Sequence, residues 1–287
     1  MNQLILTPNH LAAALGLKRE DLNLIVGSVP NFYYTFSKPK LDKESGKPKL
    51  KDGKIQYRSY NVSTGTLRKV QDRLLKSILQ KIPLHPCLKG GMKGQSGAIN
   101  ANFHKGQIFR FQTDITNFFP SVSSEMVYYA LREKGFSKQV SNIITDLTTL
   151  STTKSFHNRS LPQGAPTSPI LSNIVFESIA KQLVDVVADK DIKFTTWVDD
   201  LTFSSNTDFQ YLIPSLIQII SKNGFKISRK KTTYRHYTSI ITGVVTGMST
   251  LKVTDTFRNK DESELNEMQQ LGRQAYQEYV YRIDKGK

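Results

Sequence analysis

The chain has 287 residues and a formal net charge of +16, with a pI of about 9.7. So strong a basic excess indicates a polyanionic partner, most often nucleic acid. Cys87 is the single cysteine, which excludes an intrachain disulfide and a cysteine-based zinc site and suits a reducing cytosol. No apolar run approaches the roughly 20 residues that span a bilayer, and the first residues lack the pattern of a signal peptide. We therefore expect no membrane partner and a cytoplasmic location.

The first hundred residues predict two short helices over 8–26, a hairpin over 33–60 and an amphipathic helix over 67–82. The hairpin strands alternate aromatic and polar residues, and the segment between them carries seven lysines from Lys38 to Lys54. Such a charge run is usually a solvated loop. Its position beside aromatic residues equally suits contact with a nucleic-acid backbone, and both interpretations stay open.

A glycine-rich segment follows, with the sequence CLKGGMKGQSGAINANFHKG. Its glycines allow close backbone approach and Lys89 and Lys93 supply cations, but a flexible turn explains the pattern equally well. Asn100 and His104 are four residues apart and share one face of a helix. We interpret this pair from the residues alone as structural, since a lone His is more often hydrogen-bonded than a ligand.

Three carboxylates are the candidate catalytic groups. Asp114 ends a predicted strand over 108–115, and the adjacent Asp199 and Asp200 lie between predicted strands over 192–198 and 201–204. Unpaired buried charge is costly, and a divalent metal offsets that cost. Oxygen ligands suit Mg²⁺, so the pattern favours a two-metal nucleotidyl-transfer site.

The remaining elements complete the prediction. The loop LPQGAPTSPILSN presents Gln163 before a long helix over 168–188, a place that favours anion or sugar contact. Further on we predict a helix over 211–223, a strand over 225–228, a hairpin over 237–253 and a terminal helix over 258–284.

Four stretches in order resemble the reverse transcriptase family, and within it the retron type; they are DITNFFPSV, LPQGAPTSPILSN, WVDDLTFS and NGFKISRKKT. The resemblance runs from about residue 8 to 257. NANFH at 100–104 fits the NAxxH pattern of retron enzymes, and VTG at 245–247 fits their other hallmark. Two departures are the WVDD form, where YADD is usual, and RSYNVS from Arg58, which lacks the usual proline.

The resemblance implies an α+β right-hand polymerase fold. Fingers with the N-terminal helices would span 1–107, a palm with an antiparallel sheet 108–240, and a primer-grip hairpin with a short helical thumb 241–287. In that fold Asp114, Asp199 and Asp200 would hold two Mg²⁺ ions, with the main-chain carbonyl of Ile115 as an extra ligand.

The resemblance also assigns nucleotide contacts. Phe119 would be the steric gate that excludes a ribose 2′-OH, whereas Phe118 reads as a core aromatic. Further contacts would come from Gln163 to the sugar, Gly164 through close approach, Lys93 to the triphosphate, and Lys230 or Lys231 to the leaving pyrophosphate. Two lysines after a strand are otherwise an ordinary basic surface.

Retron enzymes as a family copy a dedicated structured RNA into branched multicopy single-stranded DNA. The resemblance thus implies a cognate non-coding RNA, its DNA product, dNTPs and an effector protein in antiphage defence. The family signatures implied in RNA recognition are Asn100, His104, Val245, Thr246 and Gly247. The alternatives are another defence-associated or untemplated DNA polymerase of the same family and a non-catalytic RNA-binding scaffold.

Overall fold

A computed structural model describes residues 7–41, 47–151, 158–259 and 265–286. The mixture of helices and antiparallel sheets is the predicted α+β class. The chain divides into two compact units. The first unit contains Met1–Leu84 and Asn117–Phe176, and the second unit contains His85–Thr116 and Glu177–Lys287.

The first unit is mainly helical, and the two predicted N-terminal helices are present. Its helices are α1 Pro8–Ala14, α2 Arg19–Gly27, α3 Gly65–Ser77, α5 Phe118–Ser121, α6 Ser124–Glu133 and α7 Lys138–Thr148, with 3₁₀ turns Val29–Phe32 and Leu79–Lys81. Serines begin two of these helices by capping orphan backbone N–H groups. Ser123 Oγ accepts from the Met126 N–H at 3.1 Å, and Ser137 Oγ accepts from the Val140 N–H at 3.3 Å.

The predicted hairpin of the first unit is formed by β1 Tyr33–Pro39 and β4 Tyr57–Ser63, which pair antiparallel from Tyr33↔Ser63 to Pro39↔Tyr57. Part of the lysine-rich segment between them is regular, since β2 Leu50–Lys51 pairs with β3 Lys54–Ile55. Residues 42–46 of that segment lie outside the described residues. A further short antiparallel pair in this unit is β6 Leu150–Ser151 with β7 Arg159–Ser160. Residues 152–157 lie outside the described residues.

The second unit is built around a four-stranded antiparallel sheet in the order β10-β5-β9-β8. Its strands are β5 Phe109–Asp114, β8 Lys193–Trp197, β9 Asp200–Ser205 and β10 Thr233–His236. β-Branched and aromatic residues suit such a pleated, buried surface. Phe203 is fully buried, its ring 4.3 Å from that of Phe194 and 5.8 Å from that of Phe111. This aromatic layer holds β5, β9 and β8 in one register.

A second sheet in this unit packs against two helices. It contains β11 Ser239–Ile241, β12 Val244–Thr246 and β13 Leu251–Val253 in that order, and the helices are α4 Gly97–Phe103 and α11 Glu267–Asp284. Their shared core consists of Ala98, Ala101, Ile241, Val244, Leu251, Val253 and Val280. The other helices are α9 Ile213–Lys222 and α10 Asp255–Arg258, with 3₁₀ turns Gln210–Leu212 and Arg229–Lys231. Helix α8, Ser168–Val187, has residues in both units.

Two sequence predictions differ from the structure in this unit. Residues 225–228 form no strand, because Ile227 makes only an isolated bridge to Ile115 and the chain then turns at Arg229–Lys231. The strand lies further on, at β10. The segment over 237–253 is a three-stranded sheet instead of a hairpin, because Thr242 and Gly243, both with positive φ, make an earlier turn.

Candidate active site

Strand register brings the first and third acids together. β5 ends at Asp114 and β9 begins at Asp200, and these two residues are directly opposite one another in the antiparallel ladder. Asp199 lies in the two-residue turn between β8 and β9, and its carbonyl accepts from the Ile115 N–H at 2.9 Å. Three carboxylates that are distant in sequence therefore share one end of the sheet.

The turn that carries Asp199 is strained. Its first residue, Val198, has φ +58°, a region that a β-branched side chain rarely adopts and that costs about 1–3 kcal/mol. The glycine-rich segment packs directly on this turn. The Lys89 N–H donates to the Thr196 carbonyl at 2.9 Å, and a Cβ added to Gly90 would lie 2.4 Å from the Val198 nitrogen. Gly90 thus lets the backbone approach closely enough to support the strained turn.

The carboxylates of the site repel one another, and this repulsion affects the pKa of Asp199. Burial, together with the neighbouring charges of Asp200 and Asp114, raises the pKa of Asp199 to about 6. Lys231 acts in the opposite direction on Asp199. The site therefore concentrates negative charge that a cation would stabilise.

One such cation is already present in the protein. The ammonium of Lys231 forms an ion pair with the carboxylate of the buried Asp114. The backbone fixes this arrangement, because the Ser228 N–H donates to the Asp114 carbonyl and the Thr116 N–H donates to the Lys226 carbonyl, both at 2.7 Å. Lys230 and Lys231 are both exposed.

The ligand set of this site is purely oxygen, which suits a hard divalent cation and not zinc or copper. Within the described ranges no group of three or more His, Cys, Asp or Glu side chains is already converged to hold a metal ion. The ion pair of Asp114 with Lys231 gives a physical reason, since one carboxylate is turned to an internal cation. The donor chemistry nevertheless fits Mg²⁺, and the repulsion around Asp199 is of the kind that a divalent ion relieves.

The predicted nucleotide contacts Phe119, Gln163 and Gly164 belong to the first unit. Phe118 is buried and meets Phe176 edge-on at 5.9 Å, whereas the neighbouring Phe119 is only half-buried. This difference between adjacent rings agrees with reading the first as core and keeps the second available to a ligand.

The backbone of the LPQGAPTSP loop is tied to the hairpin. The Asn61 N–H donates to the Gln163 carbonyl at 2.7 Å, and the hydroxyl of Ser168 donates to the Pro162 carbonyl at 2.7 Å. Gly164 has φ +121°, and an added Cβ would lie 3.1 Å from the Asn61 carbonyl oxygen. A glycine is thus required here by both backbone conformation and close packing. Lys93 of the other unit is exposed.

Comparison with known proteins identifies the family of this chain. A model of the family described as reverse transcriptase (RNA-dependent DNA polymerase) matches residues 46–272, which is most of the chain. The chain belongs to the reverse transcriptase family.

Its similarity to curated proteins points to the retron type, as the sequence motifs predicted. The retron Ec86 reverse transcriptase of Escherichia coli is 29% identical over 58% of this chain and 50% of its own length. The retron Se72 reverse transcriptase of Salmonella heidelberg is 28% identical over 79% of this chain and 57% of its own. The retron Mx65 reverse transcriptase of Myxococcus xanthus is 30% identical over 58% and 42%. This chain therefore spans about half the length of the curated relatives it matches. Within its described residues no helix is long and apolar enough to cross a membrane.

The two retron signatures of this reverse transcriptase are largely internal. Asn100 and His104 are buried, and the His104 ring is hydrogen-bonded at both nitrogens, by Nδ1 to Ser204 Oγ at 2.7 Å and by Nε2 to Thr195 Oγ1 at 2.8 Å. Those partners lie on β9 and β8. The His104 side chain, which the family signature predicts to recognise RNA, is therefore attached to the sheet that carries the acids.

A buried arginine connects NANFH to VTG. The guanidinium of Arg110, on β5, donates through Nη2 to the Gly247 carbonyl at 3.1 Å and to the His104 carbonyl at 3.4 Å. Thr246 is buried as well, while Val245 is half-buried. Sequence reasoning missed Arg110, although a lone arginine inside the strand IFRFQTD was a signal of a buried polar contact.

We expect Gly90→Ala to destabilise the fold. The added methyl collides with backbone at Val198, which cannot move aside as a flexible side chain would, and such overpacking costs about 1–3 kcal/mol. Urea unfolding of the purified protein measures the change. The control is Gly272→Ala in α11, where nothing lies within 4 Å of the added methyl and the gain in helix propensity is about 0.5–1 kcal/mol. Equal free energies of unfolding for the two variants would contradict the account of Gly90.

We also expect His104 to make stability depend on pH. Burial, together with the charges of Lys193, Arg110 and Lys89, lowers its pKa to about 3. The folded protein therefore resists protonation while the unfolded chain takes up a proton near pH 6.5. Below that value the free energy of unfolding should fall by about 1.4 kcal/mol per pH unit through this group.

The measurement is urea unfolding between pH 7 and 5 for the parent protein and His104→Gln, which keeps a donor and an acceptor for the two hydroxyls. The difference in slope between the two proteins isolates the histidine. Parallel slopes would show that His104 is not held neutral.

Proposed function

We propose that this chain is an RNA-directed DNA polymerase that copies a cognate structured non-coding RNA into branched multicopy single-stranded DNA. The observation that supports it most is the register that sets Asp114 opposite Asp200, with Asp199 in the adjoining turn. Membership of the reverse transcriptase family gives this cluster of acids its chemical meaning.

In this proposal the chain has the right-hand layout of a polymerase. Residues 1–107 act as fingers, 108–240 as the palm, and 241–287 as the primer grip and short thumb. The supporting features are the exposed hairpin β1–β4 in the first span, the acid-bearing sheet in the second, and the small sheet with α11 in the third.

The metal-binding residues in the proposal are Asp114, Asp199, Asp200 and the main-chain carbonyl of Ile115. Two bound Mg²⁺ ions would supply activation of the primer hydroxyl and neutralisation of charge on the triphosphate and pyrophosphate. Lys231 forms an ion pair with Asp114 in the free protein. Lys231 would also contact the departing pyrophosphate, a role it would share with the exposed Lys230.

The proposal also includes the nucleotide contacts that the family resemblance implies. Phe119 excludes the ribose 2′-OH, Gln163 contacts the sugar, Gly164 gives the nucleotide close access and Lys93 contacts the triphosphate. Support comes from the half-buried ring of Phe119 and from the fixed backbone of the loop at Gln163 and Gly164.

One face of the hairpin supports the proposal of an RNA partner. The rings of Tyr34, Phe36 and Tyr60 stack in series, with centroid separations of 5.8 and 5.2 Å. The next pair along the same face is Lys38 opposite Arg58. Like charges directly opposite each other are destabilising, so a phosphate backbone lying along this face would offset their repulsion, and the rings offer stacking surfaces for bases.

The resemblance to retron enzymes also supports a proposed location, role and partner in the cell. The chain would act in the cytoplasm, in antiphage defence, together with an effector protein. Its RNA-recognition residues would be Asn100, His104, Val245, Thr246 and Gly247, with the buried members of this set acting through the surface they shape.

The test is to purify the protein with its co-purifying nucleic acid and to treat that nucleic acid with RNase. We expect DNA of defined length, and we expect Asp199→Asn to reduce DNA synthesis by more than about 100-fold, because a bound metal supplies several kcal/mol of transition-state stabilisation. Chelation with EDTA should stop synthesis and added Mg²⁺ should restore it. The matched control is Asp255→Asn, whose carboxylate is 86% exposed and outside the site.

The outcomes separate the candidate functions. DNA of random sequence would indicate an untemplated polymerase. RNA without DNA, recovered equally from the parent and Asp199→Asn, would indicate a non-catalytic RNA-binding scaffold and would overturn the proposal.

A further inference from the structure

A cavity lies in the second unit on the surface beside α4. Its volume is about 380 Å³, within the range of roughly 300–1,000 Å³ that is usual for ligand sites. Apolar side chains form much of its wall, among them Val184 at the end of α8 and Phe194 of β8, and Cys87 also lines it. Burial raises the pKa of the Cys87 thiol to about 12, so the thiol is neutral at physiological pH.

Phe103 is presented at this cavity as a fixed platform. It is the last residue of α4, and its side chain is 42% exposed although both Asn100 and His104 of the same helix end are buried. The His104 ring meets it edge-on at 5.3 Å and is itself anchored to β8 and β9. An aromatic ring that is already held in place loses little conformational freedom when a ligand binds to it.

Two lysines are placed at this one ring. The ammonium of Lys89 and that of Lys193 each lie 5.6 Å from the Phe103 centroid, and both line the cavity. An exposed cation over a ring is stabilised only modestly, and two cations around the same ring repel each other. Within the described ranges neither lysine forms an ion pair with a carboxylate. An anionic ligand would relieve that repulsion.

These features fit one kind of ligand. An aromatic platform beside an apolar cavity suits the face of a nucleobase, and the flanking lysines suit the phosphates on either side of it. Asp191, a carboxylate that also lines the cavity, disfavours a purely anionic ligand and can accept from an exocyclic amino group. Duplex bases are stacked and paired, so only an unpaired nucleotide can enter.

We propose that Phe103, Lys89 and Lys193 form a docking site for one unpaired nucleotide of a single-stranded nucleic acid. The base stacks on Phe103 and the neighbouring phosphates contact the two lysines. The inference rests on the proposed function in so far as that function supplies a nucleic acid. It also gives two residues of NANFH separate roles: His104 anchors the end of α4 to the sheet, and Phe103 contacts the ligand.

The test measures binding of a short fluorescent oligouridine, as RNA and as DNA, over a series of salt concentrations. Phe103→Leu keeps apolar volume but removes the stacking face, and we expect it to weaken binding by about 5- to 150-fold, the fold-change that corresponds to the loss of one stacked base. The slope of log K against log salt should stay unchanged. Phe103→Tyr restores a stacking face and should bind like the parent.

The lysines give a distinct signature. The double variant Lys89→Ala/Lys193→Ala should reduce the magnitude of the slope of log K against log salt by about 1.4, since each phosphate contact on a single strand contributes about 0.7. The matched control is Lys138→Ala/Lys222→Ala, which removes two exposed lysines away from the cavity and should leave the slope near that of the parent. We expect equal affinity for RNA and DNA, because the proposed contacts are to the base and the phosphates and not to the 2′-OH.

Photocrosslinking with a 5-iodouridine strand locates the base. We expect the cross-link in the peptide that contains Phe103, and its loss in Phe103→Leu. Binding by Phe103→Leu equal to that of the parent, or tight binding of uridine monophosphate alone that depends on Phe103, would overturn the proposal.

Failure of this proposal is distinguishable from failure of the proposed function. Extension of a pre-annealed primer by both the parent and Phe103→Leu, with unchanged strand binding, would reject only the docking site. Absence of extension by the parent, with strand binding that still depends on Phe103, would reject only the polymerase.

Discussion

The pairing of β5 with β9 is the constraint on which the second unit depends. Because one register fixes every cross-strand neighbour, the same alignment that layers Phe111 on Phe203 also sets Asp114 opposite Asp200. The aromatic contact is favourable and the acid pair is not. The apolar end of the ladder therefore stabilises a charge arrangement at its other end that would not form by itself, and Lys231 reduces the remaining repulsion.

Sequence alone located the acids, and it did so for a physical reason. Each acid ends or interrupts an apolar strand-like run, and a charged residue in such a run stands out in the sequence. The strand order, the register and the ion pair of Lys231 with Asp114 depend on contacts between residues that are distant in sequence, 117 positions apart for the ion pair, and no local pattern encodes them. The family resemblance identified the chemistry, while the structure showed how the acids are brought together.

The errors of the sequence reading have the same origin. Residues 225–228 are apolar enough for a strand, yet the chain is held there by single backbone contacts to Ile115 and Thr116, and the ladder position is taken by β10. Gly90 looked like one of several glycines in a flexible segment. Its role depends on Val198, which approaches it only in the folded chain. Arg110 likewise gains its meaning from two carbonyls, one of them 137 residues away.

The ion pair between Lys231 and Asp114 has a consequence for the order of assembly. A site whose charges could be balanced only by divalent ions would tie completion of the sheet to the supply of those ions. Here the chain carries its own counter-charge, delivered by a segment that is hydrogen-bonded to the end of β5. The acids can therefore be held together in the folded chain before any divalent ion binds.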